Sequence, residues 1–130
     1  MSYQVKDISQ ITGIDRETLR FYENKGLIKP KRKDSGYRIY NDEDILKIDF
    51  IIKSKKVGFT LSEIKELIYF KKNKKVTCRD GKEIAENKLI EINQKIKSLR
   101  EMKKTLIRFS QKCDELGPES NCCLNFYCCK

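Results

Sequence analysis

Five of the six cysteines fall in the last eighteen residues, within "SQKCDELGPESNCCLNFYCCK", while the sixth, Cys78, stands alone upstream; the chain has no histidine. Thiolates bind metals, and as soft ligands they suit mercury, lead, cadmium and zinc far better than magnesium or calcium. Without histidine the mixed nitrogen–sulfur sites common for zinc are unavailable, which tilts the choice towards the softer ions. In a reducing compartment such clusters point to metal ligation or redox sensing rather than to a disulfide framework. The opening "MSYQVKDISQ" lacks the apolar core of a signal peptide. No apolar run approaches the roughly 20 residues that cross a bilayer, so the expected location is cytoplasmic with no membrane partner.

The element that must position these thiols is the stretch between them. Residues 80–112 contain no proline and, beyond Gly81, no glycine. Ala85, Leu89, Ile92, Ile96, Leu99 and Leu106 recur at spacings that alternate four and three, the pattern of a coiled-coil seam, interrupted at Lys103 and Ser110. The plainer alternative packs this stripe back on the N-terminal domain. A helix of roughly 33 residues is on the order of 50 Å long, so Cys78 cannot reach Cys113 of its own chain. Pairing two such helices in parallel groups like cysteines at each end. Antiparallel pairing sets Cys78 of one chain beside Cys113 of the other, and two-fold symmetry then makes two equal sites. In residues 113–130, Gly117 and Pro118 are expected to end the helix and turn the chain back, bringing Cys122 or Cys123 towards Cys113 as a trithiolate set. Cys78 and Cys113 also have the plainer reading of small buried apolar residues, and Cys128 and Cys129 lie at the terminus as accessory thiols or without a role.

Charge is concentrated towards the other end. Of the chain's net +10, residues 1–75 carry 18 Lys and Arg against 11 Asp and Glu, which makes this part the expected polyanion binder. "VKDISQITG" spaces Val5, Ile8 and Ile11 as a short helix ending at Gly13. "DRETLRFYENKGL" follows with Asp15 as N-cap, Leu19 and Tyr22 facing inward, and Gly26 as the stop. Two short helices across a glycine turn make a helix-turn-helix, with an ordinary helical hairpin as the plainer reading. "LIKPKRKDSGYRIY" reads as a small β-hairpin wing. A helix from Asn41 then carries Ile45, Ile48 and Ile52, and another from Thr60 carries Leu61, Ile64, Leu67 and Ile68. The expected layout is a winged helix-turn-helix domain over residues 1–70, a basic linker over 71–79, the long helix over 80–112, and a cysteine-rich loop and tail over 113–130.

The segments "ETLRFYENKGLI", "GYRIYNDED" and "IIKSKKVGFTLSEIKEL", with the spacing of Cys78, Cys113 and Cys122, resemble the MerR family of transcriptional regulators along nearly the whole chain. The cysteine set is similar to that of the family's divalent heavy-metal sensors, where one cysteine precedes the dimer helix and two follow it. In the family's monovalent copper sensors the first position is serine. Eight residues separate Cys113 from Cys122, as in the mercury and lead branches. Relatives often continue with Cys-Pro and a short apolar helix, whereas this chain reads "CCLNFYCCK".

The resemblance implies a mainly α fold, with a winged helix-turn-helix domain, an antiparallel coiled-coil dimerisation helix and a C-terminal metal-binding loop. It implies metal ligation by Cys78, Cys113 and Cys122, with Cys123 as the alternative. It places Arg16, Thr18, Arg20 and Tyr22 on the recognition helix and Tyr37 and Arg38 on the wing, facing double-stranded promoter DNA. The implied partners are a second copy of the chain and RNA polymerase, and the implied effector is a soft divalent ion: Hg2+, Pb2+, Cd2+ or Zn2+. Metal binding would untwist and kink a promoter whose elements are spaced too far apart. Arg16 and Arg20, four apart, share a helix face suited to base edges or phosphates. The plainer role for Arg20 is an ion pair with Glu17 or Glu23. Lys31, Arg32 and Lys33 read as a solvated basic stretch. A thiol-based redox-sensing regulator and a metal-sequestering protein are the alternatives. An enzyme is the least expected class, for want of histidine, of a general-base dyad and of a phosphate-binding glycine loop.

Overall fold

The computed structural model describes residues 1–122 and 124–127, so Cys123, Cys128 and Cys129 lie outside the described residues. The chain forms two compact units, Met1–Thr77 and Cys78–Lys130.

The first unit begins with α1 (Val5–Thr12) and α2 (Arg16–Asn24), separated at Gly13, whose φ of 79° is the left-handed conformation that glycine adopts without strain. Asp15 caps α2 by accepting the Thr18 N–H at 2.7 Å, and the Thr18 side chain together with that N–H holds its carboxyl below the usual range. Strands β1 (Lys31–Arg32) and β2 (Arg38–Ile39) pair antiparallel, Lys31 opposite Ile39 and Arg32 opposite Arg38. Helices α3 (Asp42–Lys56) and α4 (Leu61–Asn73) follow, each opened by a reciprocal capping box, Asn41 with Asp44 and Thr60 with Glu63. The short strands are fixed at their base by Tyr3 and Tyr40, whose backbones exchange two 2.8 Å hydrogen bonds.

Ile8, Leu19, Tyr22, Leu27, Ile28, Tyr40, Ile48, Ile51 and Ile64 form the core. All four helices contribute, so the recognition helix and the wing are seated on one packed body. The α3 stripe differs slightly from expectation: Ile48 and Ile51 are fully buried, while Ile45 and Ile52 are half-buried against them. Packing against both α1 and α4 makes that face broader than a single line of side chains.

In the second unit α5 runs from Cys78 to Leu116, 39 residues. It extends the expected 80–112 helix at both ends. Thr77 and Asp80 have capping-box spacing that starts the helix earlier, and "CDEL" contains no breaker before Gly117, whose φ is 92°. Of the apolar seam, Leu89, Ile96, Leu99 and Leu106 are 39% to 62% exposed, which is a substantial apolar area to leave in water. No described helix is long and apolar enough to cross a membrane.

Candidate functional site

One concave surface in the first unit gathers much of its charge. A cleft of about 660 Å3 is lined by Lys6 at the start of α1, Arg16, Leu19 and Arg20 of α2, and Lys33, Tyr37, Arg38 and Tyr40 of the wing. Five of its lining side chains are cationic and none is acidic. Such a surface attracts a polyanion, and a helix face beside a hairpin supplies side chains at two angles to it. Arg16 and Arg20 are exposed on the cleft, and the carboxylate of Glu23 is engaged by Arg32 and Arg38. Tyr37 is 73% exposed at the wing tip, next to the Lys33–Gly36 turn.

Three expected contact residues are placed differently. Tyr22 is a core residue, 7% exposed, and burial pushes its hydroxyl pKa up; three positions from Leu19, it shares the inward face of α2 rather than the Arg16–Arg20 face. Thr18 is half-buried, with its N–H engaged by Asp15. Arg38 is half-buried and donates through Nε to a carboxylate oxygen of Glu23 at 2.5 Å.

Glu23 also accepts from Arg32 Nη2 at 3.4 Å, so one carboxylate at the end of α2 ties both strands of the wing to the recognition helix. Arg32 in turn donates to the Gly36 carbonyl at 3.1 Å, bracing the turn. Sequence reading missed this clamp, although it had marked Glu23 as a neighbour for Arg20. We expect Glu23→Gln to weaken binding to operator DNA about fivefold, the worth of roughly 1 kcal/mol of charge-assisted hydrogen bonding. Removing a negative charge would by itself strengthen attraction to phosphates. Anisotropy titrations at fixed salt decide: tighter binding by the variant would leave Glu23 with no positioning role.

Cys78 and Cys113 stand at opposite ends of α5. Cys78 opens α5 and is exposed; Cys113 lies in its last turn and is half-buried. At about 1.5 Å per residue they stand roughly 50 Å apart along the helix. Cys122 is exposed in the tail, and its sulfur accepts the Leu124 N–H at 3.3 Å. Leu124 has φ 55°, a left-handed conformation that a residue other than glycine adopts only at a cost. Hydrogen bonds of this kind orient ligands from outside the coordination sphere. Among the described residues no three potential ligands come together within the chain. The donor set of three cysteine sulfurs, none of them in a disulfide, fits a soft ion, provided two chains contribute.

Comparison with known proteins adds a lineage. Residues 3–71 match the profile of the MerR HTH family regulatory proteins, and residues 45–109 match that described as MerR, DNA binding. The HTH-type transcriptional regulator HmrR of Rhizobium leguminosarum bv. viciae is 35% identical over 109 residues, covering 84% of each chain. The mercuric resistance operon regulatory protein of Bacillus cereus is 31% identical over 116 residues, covering 88% of each. The crystal structure of HiNmlR bound to promoter DNA aligns with a TM-score of 0.58 at 25% identity, over 90% of this chain and 92% of that one.

Proposed function

The chain belongs to the MerR family of helix-turn-helix transcriptional regulators, and from that premise we propose that it is a cytoplasmic, metal-responsive regulator that binds promoter DNA as a homodimer. Its effector is a soft divalent ion, with mercury, lead and cadmium ahead of zinc. The ion is held by thiolates of Cys78 from one subunit and Cys113 and Cys122 from the other.

One observation carries the reading. Two cysteines, Cys78 and Cys113, stand at opposite ends of a single 39-residue helix whose apolar seam is open to solvent. Antiparallel pairing of two such helices covers the seam and brings unlike ends together, and no arrangement of one chain does so. The all-sulfur donor set supports a soft ion, and a relative named for mercuric resistance is in keeping with that choice.

In this reading the dimer has two shapes of similar energy. Ligation across the subunit boundary favours one of them and so changes the spacing and tilt of the two basic clefts. DNA held by both clefts bears the deformation, which realigns promoter elements for RNA polymerase. The test is a titration of the reduced protein with Hg2+, Pb2+, Cd2+ and Zn2+, read by thiolate-to-metal absorption alongside transcription in vitro. We expect saturation at one ion per subunit, with transcription rising over the same range. An ion that binds without changing transcription would move the protein to metal sequestration.

A further inference from the structure

The tail of the second unit is held by an aromatic contact that needs no metal. Phe126 meets Phe109 edge to face, ring centroids 4.9 Å apart and planes at 68°. Phe109 precedes Cys113 by four residues on α5, so the two share one face of the helix. That face is marked by burial: Thr105, Phe109, Cys113 and Gly117 are half-buried, while the residues between them are exposed. The return begins with left-handed Gly117, whose N–H bonds the Cys113 carbonyl at 3.0 Å. Ser120 then closes a turn, its N–H on the Gly117 carbonyl and its hydroxyl on the Leu116 carbonyl at 2.6 Å. The segment between that turn and Phe126 carries Cys122.

We propose that Phe126 is a positioning residue: docked on Phe109, it closes the loop that carries Cys122 over the helix face that carries Cys113, so that the two thiols are gathered before any ion arrives. Both ends of the loop are then tied to α5, one through Gly117 and one through the ring pair. A ligand on a loop closed in advance loses less conformational freedom on binding than one on a loose tail. The metal part of this inference rests on the reading of Cys113 and Cys122 as ligands of one ion; the loop closure does not.

Two measurements separate these parts. In a full-length background with the other four cysteines replaced by serine, Cys113 and Cys122 are oxidised by diamide, which takes the two electrons and two protons as the disulfide forms. Phe126→Ala is expected to slow this disulfide formation about three- to tenfold, the factor an aromatic pair is worth. Phe109→Ala should slow it equally, the double variant no further, and Phe126→Tyr should restore the rate. In the native cysteine set, Phe126→Ala should weaken Cd2+ binding by a similar factor at unchanged stoichiometry. A trapping rate indifferent to Phe126 overturns the proposal whatever the metal does. Slowed trapping in a protein that fails to bind Cd2+ would keep the clasp and discard the metal reading.

Discussion

Cys78→Ser is expected to bind its operator as tightly as the wild type and to lose the transcriptional response to metal. The residue opens α5 in the second unit, whereas the basic cleft is lined only by residues of the first, so the substitution takes no side chain from that cleft. A serine hydroxyl is a hard, weak ligand where a soft ion requires thiolate. Disturbing an outer partner of a metal ligand already costs about 10- to 100-fold in affinity, so losing the ligand itself should exceed roughly 100-fold. Operator affinity by anisotropy and metal-dependent transcription in vitro are the two readouts. Retained activation would mean that Cys113 and the tail thiols suffice, and that Cys78 is an unremarkable exposed side chain.

The second large effect belongs to Arg20. With Arg16 it forms the exposed face of α2 towards the cleft, and among the described residues no carboxylate engages it. If it meets a base edge in the major groove, Arg20→Ala should cost about 1–3 kcal/mol of operator binding and relax preference at one position of the site. If it meets phosphate, binding should weaken uniformly and the salt slope should fall by about one ion. Binding assays against duplexes mutated singly along the operator, each at several salt concentrations, separate the two. Metal stoichiometry should be unchanged in either case. Unaltered affinity and slope would exclude Arg20 from the interface.

Much of the fold was legible because local signals agreed with one another. Asp15, Asn41 and Thr60 sit where an N-cap must, and the structure uses each of them. Glycine at 13 and 26 marked helix ends that the backbone makes with positive φ. The ends of α5 were less visible, since a helix passes through Cys78 and Cys113 without a breaker until Gly117. Side-chain roles in the interface were harder still. Arg38 looked free on the wing because its partner, Glu23, lies fifteen residues away on another element. Tyr22 was expected both to face inward and to stand on the helix that meets DNA; its ring packs in the core beside Leu19. The Phe109–Phe126 contact had no periodic signal: it depends on a turn at Gly117 and on a following segment without helix or strand among the described residues.

The claim that unites these observations is that each metal site is built by two subunits. Heterodimers of Cys78→Ser with Cys113→Ser, isolated through two different affinity tags, test it most directly. In such a dimer one shared site carries both substitutions and the other carries neither. A site shared between subunits predicts that the heterodimer binds one ion per dimer with near wild-type affinity, while both parent homodimers bind none. A heterodimer as inert as its parents would contradict sharing and place the ligands within a single chain.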